Sequence, residues 1–273
     1  MSRAMIQAAV TMNQLQQKMD LIGNNLANSQ TTGYKAKNAE FASLLFQQIN
    51  NMNDPNNDVG RLTPGGVRVG SGAKLGSTNI DLTPGALKET GRALDLALLE
   101  PNHLFQVSVT ENNVTETRYT RDGAFYLSPL ENNQVMLTTS DGHPVLGVNG
   151  QITFADGFDS LHVADNGFIT VQRGNNTEVV GQLAVIEAVR PRVLEAAGAN
   201  QYRLPNLADL GLNQADVIQA VPASLTSGTL EMSNVNMGKE LTDLITAQRA
   251  YQFNARTISM GDQMMGLVNQ LRT

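Results

Sequence analysis

The 273-residue chain carries 25 acidic against 19 basic side chains, a net charge of -6, with 41% apolar and 16% charged residues. That length supports one large or two medium domains, and an acidic balance without a basic run disfavours nucleic acid and anionic membrane as partners. With no cysteine, disulfides, thiolate metal sites and cysteine nucleophiles are excluded, and no apolar run of about 18 residues is present for direct membrane insertion.

The first element is a helix. Met5, Ala8, Met12, Leu15, Met19, Ile22 and Leu26 recur at alternating steps of three and four, a heptad seam. The helix is expected from about Ser2 to Asn28. Gly23, Asn24, Asn25 and Asn28 weaken its end, and Gly33 is suited to a left-handed stop. These asparagines can bond nearby backbone or reach a neighbouring chain. Residues 35 to 50, with Phe41, Leu44, Leu45 and Ile49, fit a short helix or an extended arm. Residues 50 to 57 form an Asn/Asp/Pro loop, and glycine-rich residues 60 to 90 read as extended β-structure.

From about Arg92 to Ala220 the period changes to two, with turn pairs at Asp122-Gly123, Asp141-Gly142, Asn149-Gly150, Asp156-Gly157, Asn166-Gly167 and Gly174-Asn175. Short strands between regular turns indicate an antiparallel sandwich or barrel. Residues 179 to 189 read as its most apolar strand, and residues 191 to 225 as loop-like. Asn236 then caps a last helix with Glu240 in its first turn and a seam at Leu241, Leu244, Gln248, Tyr251, Ala255, Ile258 and Met265. Met-rich seams adapt to irregular packing. The expected fold class is α+β: long N- and C-terminal helices pairing as a coiled coil around an inserted antiparallel all-β domain. The expected division is residues 1–30 plus 233–273 as a helical assembly domain, 31–90 as a connector and 91–232 as the inserted domain.

No catalytic residue, cofactor site or metal site is expected. His103, His143 and His162 are scattered without ligand spacing and read as surface or turn residues. The stretch from Gly70 to Gly76 resembles a phosphate loop but lacks its Gly-Lys-Ser/Thr ending.

Three separated motifs carry a resemblance. Asn24-Asn25-Leu26-Ala27-Asn28 with Thr32-Gly33-Tyr34-Lys35 resembles the N-terminal signature of the flagellar rod and hook family of axial proteins. Leu230-Glu231-Met232-Ser233-Asn234-Val235-Asn236 with Ile245-Thr246-Ala247-Gln248-Arg249-Ala250-Tyr251 and Asn254 resembles its C-terminal signature. Tyr119-Thr120-Arg121-Asp122-Gly123-Ala124-Phe125 resembles an internal motif. Length and the Gln248-Arg249-Ala250-Tyr251 segment favour a distal-rod type or close paralogue. A departure lies at Glu100-Pro101-Asn102-His103-Leu104-Phe105, where the family has a Gly-rich turn before a Phe-Phe pair.

The resemblance implies a structural subunit of the basal-body rod, outside the cytoplasmic membrane. It implies export through the flagellar type III apparatus without a cleaved signal, consistent with the absence of an apolar signal-peptide core near the N-terminus. Self-association into a helical tube is implied, with other rod and hook proteins as neighbours. The residues expected to carry assembly are Met5, Met12, Leu15, Met19, Ile22, Asn24, Asn25, Leu26, Asn28 and Gly33 at one end. At the other they are Ser233, Asn234, Val235, Asn236, Leu241, Leu244, Gln248, Arg249, Tyr251, Asn254 and Ile258. The alternatives are a hook-type or accessory axial protein and, from a different class, a cell-wall-acting enzyme relying on Asp156 or Asp159.

Overall fold

A computed structural model describes residues 3–43, 46–49, 67–70, 73–111 and 113–271. The chain forms two compact units: a helical unit of Met1–Leu26, Lys37–Asn79 and Met237–Thr273, and a β unit of Ala27–Ala36 and Ile80–Asn236. Residues 31–90, expected as one connector, are divided between them. No helix among the described residues is long and apolar enough to cross a membrane.

In the helical unit the N-terminal helix spans Arg3–Ala27 and the C-terminal helix Met237–Leu271. The N-terminal seam is the covered face: Ala8 and Ile22 are buried, and Met5, Met12, Leu15, Met19 and Leu26 are half-buried. On the C-terminal helix the covered positions are Glu240, Leu244, Ala247, Tyr251, Asn254, Ile258 and Gly261. They too alternate four and three, but in a frame that uses Glu240, Ala247 and Asn254 where the apolar pattern points to Leu241, Gln248 and Ala255. Small residues allow closer backbone approach than bulky ones. Leu241 and Gln248 are exposed.

Two contacts fix the helices' relative direction. A Cβ at Gly261 would stand 3.0 Å from the Met5 Cγ, and Asn25 Nδ2 donates to Glu240 Oε1 at 3.2 Å. Moving up one helix therefore means moving down the other. Of the two forms expected for residues 35 to 50, the described residues take the extended one: Lys37–Ser43 pairs with Ala73–Ile80, and Phe46–Ile49 pairs antiparallel with Val67–Gly70. Residues 50–57, Leu44, Leu45 and the centre of the phosphate-loop-like stretch lie outside the described residues.

The β unit is built on a six-stranded antiparallel sheet. Its strand order is Glu195–Gly198, Gln201–Arg203, Val114–Thr120, His103–Glu111, Val185–Ala188 and Ile218–Val221. Strand His103–Glu111 shows why period two matters. Phe105, Val107 and Val109 enter the main core with Phe125, Leu137, Ile169 and Leu225, whereas Leu104 enters a second core with Tyr119, Ile186, Tyr202 and Val217. Smaller sheets complete the unit, including Tyr126–Leu130, Gln134–Thr138 and Thr153–Ala155, and Ser160–Val163, Phe168–Arg173 and Asn176–Gln182.

Two expectations are corrected here. Residues 179 to 189 are not one strand: Asn176–Gln182 pairs with Phe168–Arg173, and Val185–Ala188 belongs to the six-stranded sheet. The break falls at buried Leu183, an apolar residue that gives no turn signal at the change of sheet. Residues 191 to 225 are not loop-like either. They supply three strands and the short helices Leu207–Leu210 and Gln214–Val217, elements too short to show a period.

The second core has a consequence for pH. Burial pushes the Tyr119 and Tyr202 phenols above their ordinary value of 10. An acid group with a raised folded-state pKa stabilises fully below its unfolded pKa, and that stability is lost as pH rises through the folded value. Urea unfolding between about pH 9 and about pH 11 should therefore show falling stability, with a smaller fall in Tyr202→Phe. Equal pH slopes for the two proteins would contradict this.

Candidate assembly site

The two chain ends meet in the β unit at a buried ionic clasp. Gly33, at φ +63°, carries the chain out of the turn after the N-terminal helix, and its N–H donates to the Glu231 carbonyl at 2.8 Å. Two residues on, Lys35 Nζ donates to Glu231 Oε1 at 2.5 Å and to the Thr83 carbonyl at 2.7 Å. Arg121 Nε donates to Glu231 Oε2 at 2.6 Å. The side chains of Lys35, Arg121 and Glu231 are 0%, 0% and 1% exposed.

One carboxylate thus serves two cations. Backbone carbonyls meet further donors: Arg121 Nη1 reaches Glu100 and His103, and Nη2 reaches Leu98. Glu231 Oε1 also accepts from the Gly85 N–H. Such satisfaction is what buried charge requires. Burial holds the Lys35 ammonium below its usual range; Glu231 opposes this and Arg121 adds to it.

Asparagines bind backbone around the clasp. Asn234 Oδ1 accepts from the Ala36 N–H, and Nδ2 donates to the Asp81 carbonyl, both at 2.8 Å. In the helical unit, Asn25 acts as a substitute strand: Oδ1 accepts from the Lys37 N–H at 3.0 Å and Nδ2 donates to the Lys37 carbonyl at 2.9 Å. These asparagines hold backbone groups that would otherwise be orphaned.

The other expected assembly residues fall into three sets. Met5, Met12, Leu15, Met19, Ile22, Leu26, Leu244, Tyr251, Asn254 and Ile258 lie on covered or half-covered faces. Asn28 Oδ1 accepts from Thr31, and Ser233 Oγ accepts from the Val235 N–H; Val235 is half-buried. Asn24, Asn236, Leu241, Gln248 and Arg249 are exposed. Apolar periodicity does not mark Lys35, Arg121 and Glu231, nor Glu240, Ala247 and Gly261. The first three were within recognisable motifs; a charged residue inside each motif was the signal.

His103 is also corrected. It is buried in its strand, not at the surface, with Nδ1 unpartnered, and burial lowers its pKa, favouring neutral imidazole. The loop before it departs from a Gly-rich turn, yet Asn102 adopts φ +61°; asparagine tolerates the left-handed region that glycine would otherwise supply. Asp122-Gly123 proves to be a close approach and not a left-handed turn, because a Cβ at Gly123 would meet the Leu96 carbonyl oxygen at 1.8 Å. Among the described residues no cluster of His, Asp or Glu could hold a metal.

Three family models match the chain. Residues 5–35 match the flagella basal body rod protein model, 99–171 the flagellar hook protein FlgE/F/G D1 domain, and 226–271 the flagellar basal body rod FlgEFG protein C-terminal. Full-length relatives agree. The flagellar hook-basal body complex protein FlhP of Bacillus subtilis is 40% identical, covering 100% of both chains. The flagellar basal-body rod protein FlgG of Borreliella burgdorferi is 32% identical, covering 100% of this chain and 99% of its own. The chain belongs to the flagellar basal-body rod protein family.

Within that family the clasp acquires a meaning: Lys35, Arg121 and Glu231 lie one in each matched segment. Three stretches far apart in sequence are joined by a single carboxylate. The matched domains and relatives are structural flagellar proteins, and the chain is a structural subunit of the flagellar rod.

Proposed function

We propose that the chain polymerises helically through its terminal helices, paired as an antiparallel coiled coil, into the tube of the rod that transmits torque from motor to hook. The supporting observation is the helical unit itself, which draws its two long helices from opposite ends of the chain and brings Asn25 to Glu240 and Met5 to Gly261. A rod is open-ended, so its joint is heterologous and does not close on itself. Length and the Gln248-Arg249-Ala250-Tyr251 segment support a distal position, with other rod and hook proteins as neighbours. Delivery is through the flagellar type III export apparatus to a site outside the cytoplasmic membrane, without a cleaved signal.

Deleting residues 1–28 or 236–273 should abolish incorporation into basal bodies while the β unit still unfolds cooperatively in denaturant. Recovery of either truncated chain in purified basal bodies, at the level of the full chain, would refute the proposal.

A further inference from the structure

The C-terminal helix carries a second heptad stripe that its partner helix leaves open. Phe253, Thr257, Met260, Met264 and Leu267 recur at steps of four, three, four and three, and all are exposed. The four large apolar members are each more than half exposed. This is the spacing of a packing seam on a flank roughly a third of a turn away from the covered face. The outward face of the N-terminal helix is its inverse. Ile6, Ala9, Asn13, Gln16, Asp20 and Gly23 are exposed at the same alternating spacing, with small residues at two places, and a Cβ at Gly23 would meet nothing within 4 Å.

We infer that the Phe253–Leu267 stripe is the docking surface for the outward face of the N-terminal helix of a second copy of this chain. This rests on the rod-subunit reading and names the contact that extends the assembly. Large side chains against small ones let two helix backbones approach; the same stripe against its own copy would oppose Phe and Met with Phe and Met. Rotation about, and translation along, a tube axis preserves the direction of every axial helix. A C-terminal helix touching a neighbour's N-terminal helix must therefore run antiparallel to it, as the two do within one chain.

An antiparallel register aligns size and charge together. Placing Met260 over the neighbour's residue 16 sets Phe253 over Gly23 and Leu267 over Ala9. It also sets Arg256, whose guanidinium lies 5.9 Å from the Phe253 ring centroid, opposite Asp20. Both Arg256 and Asp20 are exposed. The contact is heterologous: each copy offers one stripe upward in the series and receives on the other, so addition does not terminate.

The cysteine-free chain permits a background-free test. Full-length Gln16→Cys/Met260→Cys, expressed in place of the natural chain, should give a ladder of disulfide-linked multimers in oxidised basal bodies. Each single variant, and the out-of-register pair Gln16→Cys/Phe253→Cys, should remain monomeric. As a second measurement, Asp20→Arg or Arg256→Asp should each reduce incorporation, and the two together should restore it. A ladder from Met260→Cys alone, no ladder from the in-register pair within basal bodies that contain it, or failure of the charge exchange to rescue would overturn the contact and leave the rod reading standing. Absence of the unsubstituted chain from basal bodies would overturn both.

Discussion

Glu231→Gln is expected to destabilise the β unit by about 3–5 kcal/mol, the range for breaking a buried ion pair by removing one partner. The substitution keeps the shape of the side chain, so little of the loss comes from packing. It removes the negative charge opposite both Lys35 and Arg121. Moreover, the new amide places an N–H₂ donor where one oxygen now accepts from a cation. At roughly 2–4 °C per kcal/mol for a domain of this size, the thermal midpoint should fall on the order of 10 °C. Chemical denaturation of purified protein is the check. Adding Lys35→Met should recover part of the loss, since one uncompensated cation is then gone. A change within about 1 kcal/mol for Glu231→Gln would mean that the carboxylate does not hold the clasp together.

Gly33→Ala should be next in size, at about 2–5 kcal/mol, because two penalties coincide. The residue sits at φ +63°, where a Cβ is disfavoured by roughly 1–2 kcal/mol. The added Cβ would also stand 2.5 Å from the Asp122 backbone nitrogen, and relieving such a clash costs typically about 1–3 kcal/mol. Gly142→Ala separates the two contributions. Gly142 has φ +82° but open space around the new atom, so its loss should be about 1 kcal/mol. Equal denaturation midpoints for the two variants would show that the approach to Asp122 is energetically unimportant.

Long, regular elements were the legible part of the sequence. The N-terminal seam could be read because seven apolar residues recur without interruption, and the turn glycines because left-handed backbone strongly favours them: Gly142, Gly150, Gly157, Gly167 and Gly174 all have positive φ. The frame of the C-terminal helix was not legible. Ala247, Asn254 and Gly261 line its covered face, and none of them carries a large hydrophobic side chain. Strand neighbours in the six-stranded sheet were equally hidden, since Val185–Ala188 pairs with His103–Glu111 on one side and Ile218–Val221 on the other, and no local pattern encodes so distant a choice. The clasp was half-legible: its motifs stood out as resemblances, but their charged residues belong together only once the chain is folded.

The position of Glu231 along the chain also bears on timing. It bonds partners 196 and 110 residues earlier, and strand Thr229–Glu231 closes against Leu87–Glu89. Contacts of such long sequence separation form late and slowly, because loop-closure entropy must be met before they reward it. A chain synthesised from its N-terminus leaves Lys35 and Arg121 without their shared counter-charge until residue 231 arrives. The β unit is thereby kept from completing around a partial chain, and its maturation is tied to synthesis of nearly the whole polypeptide.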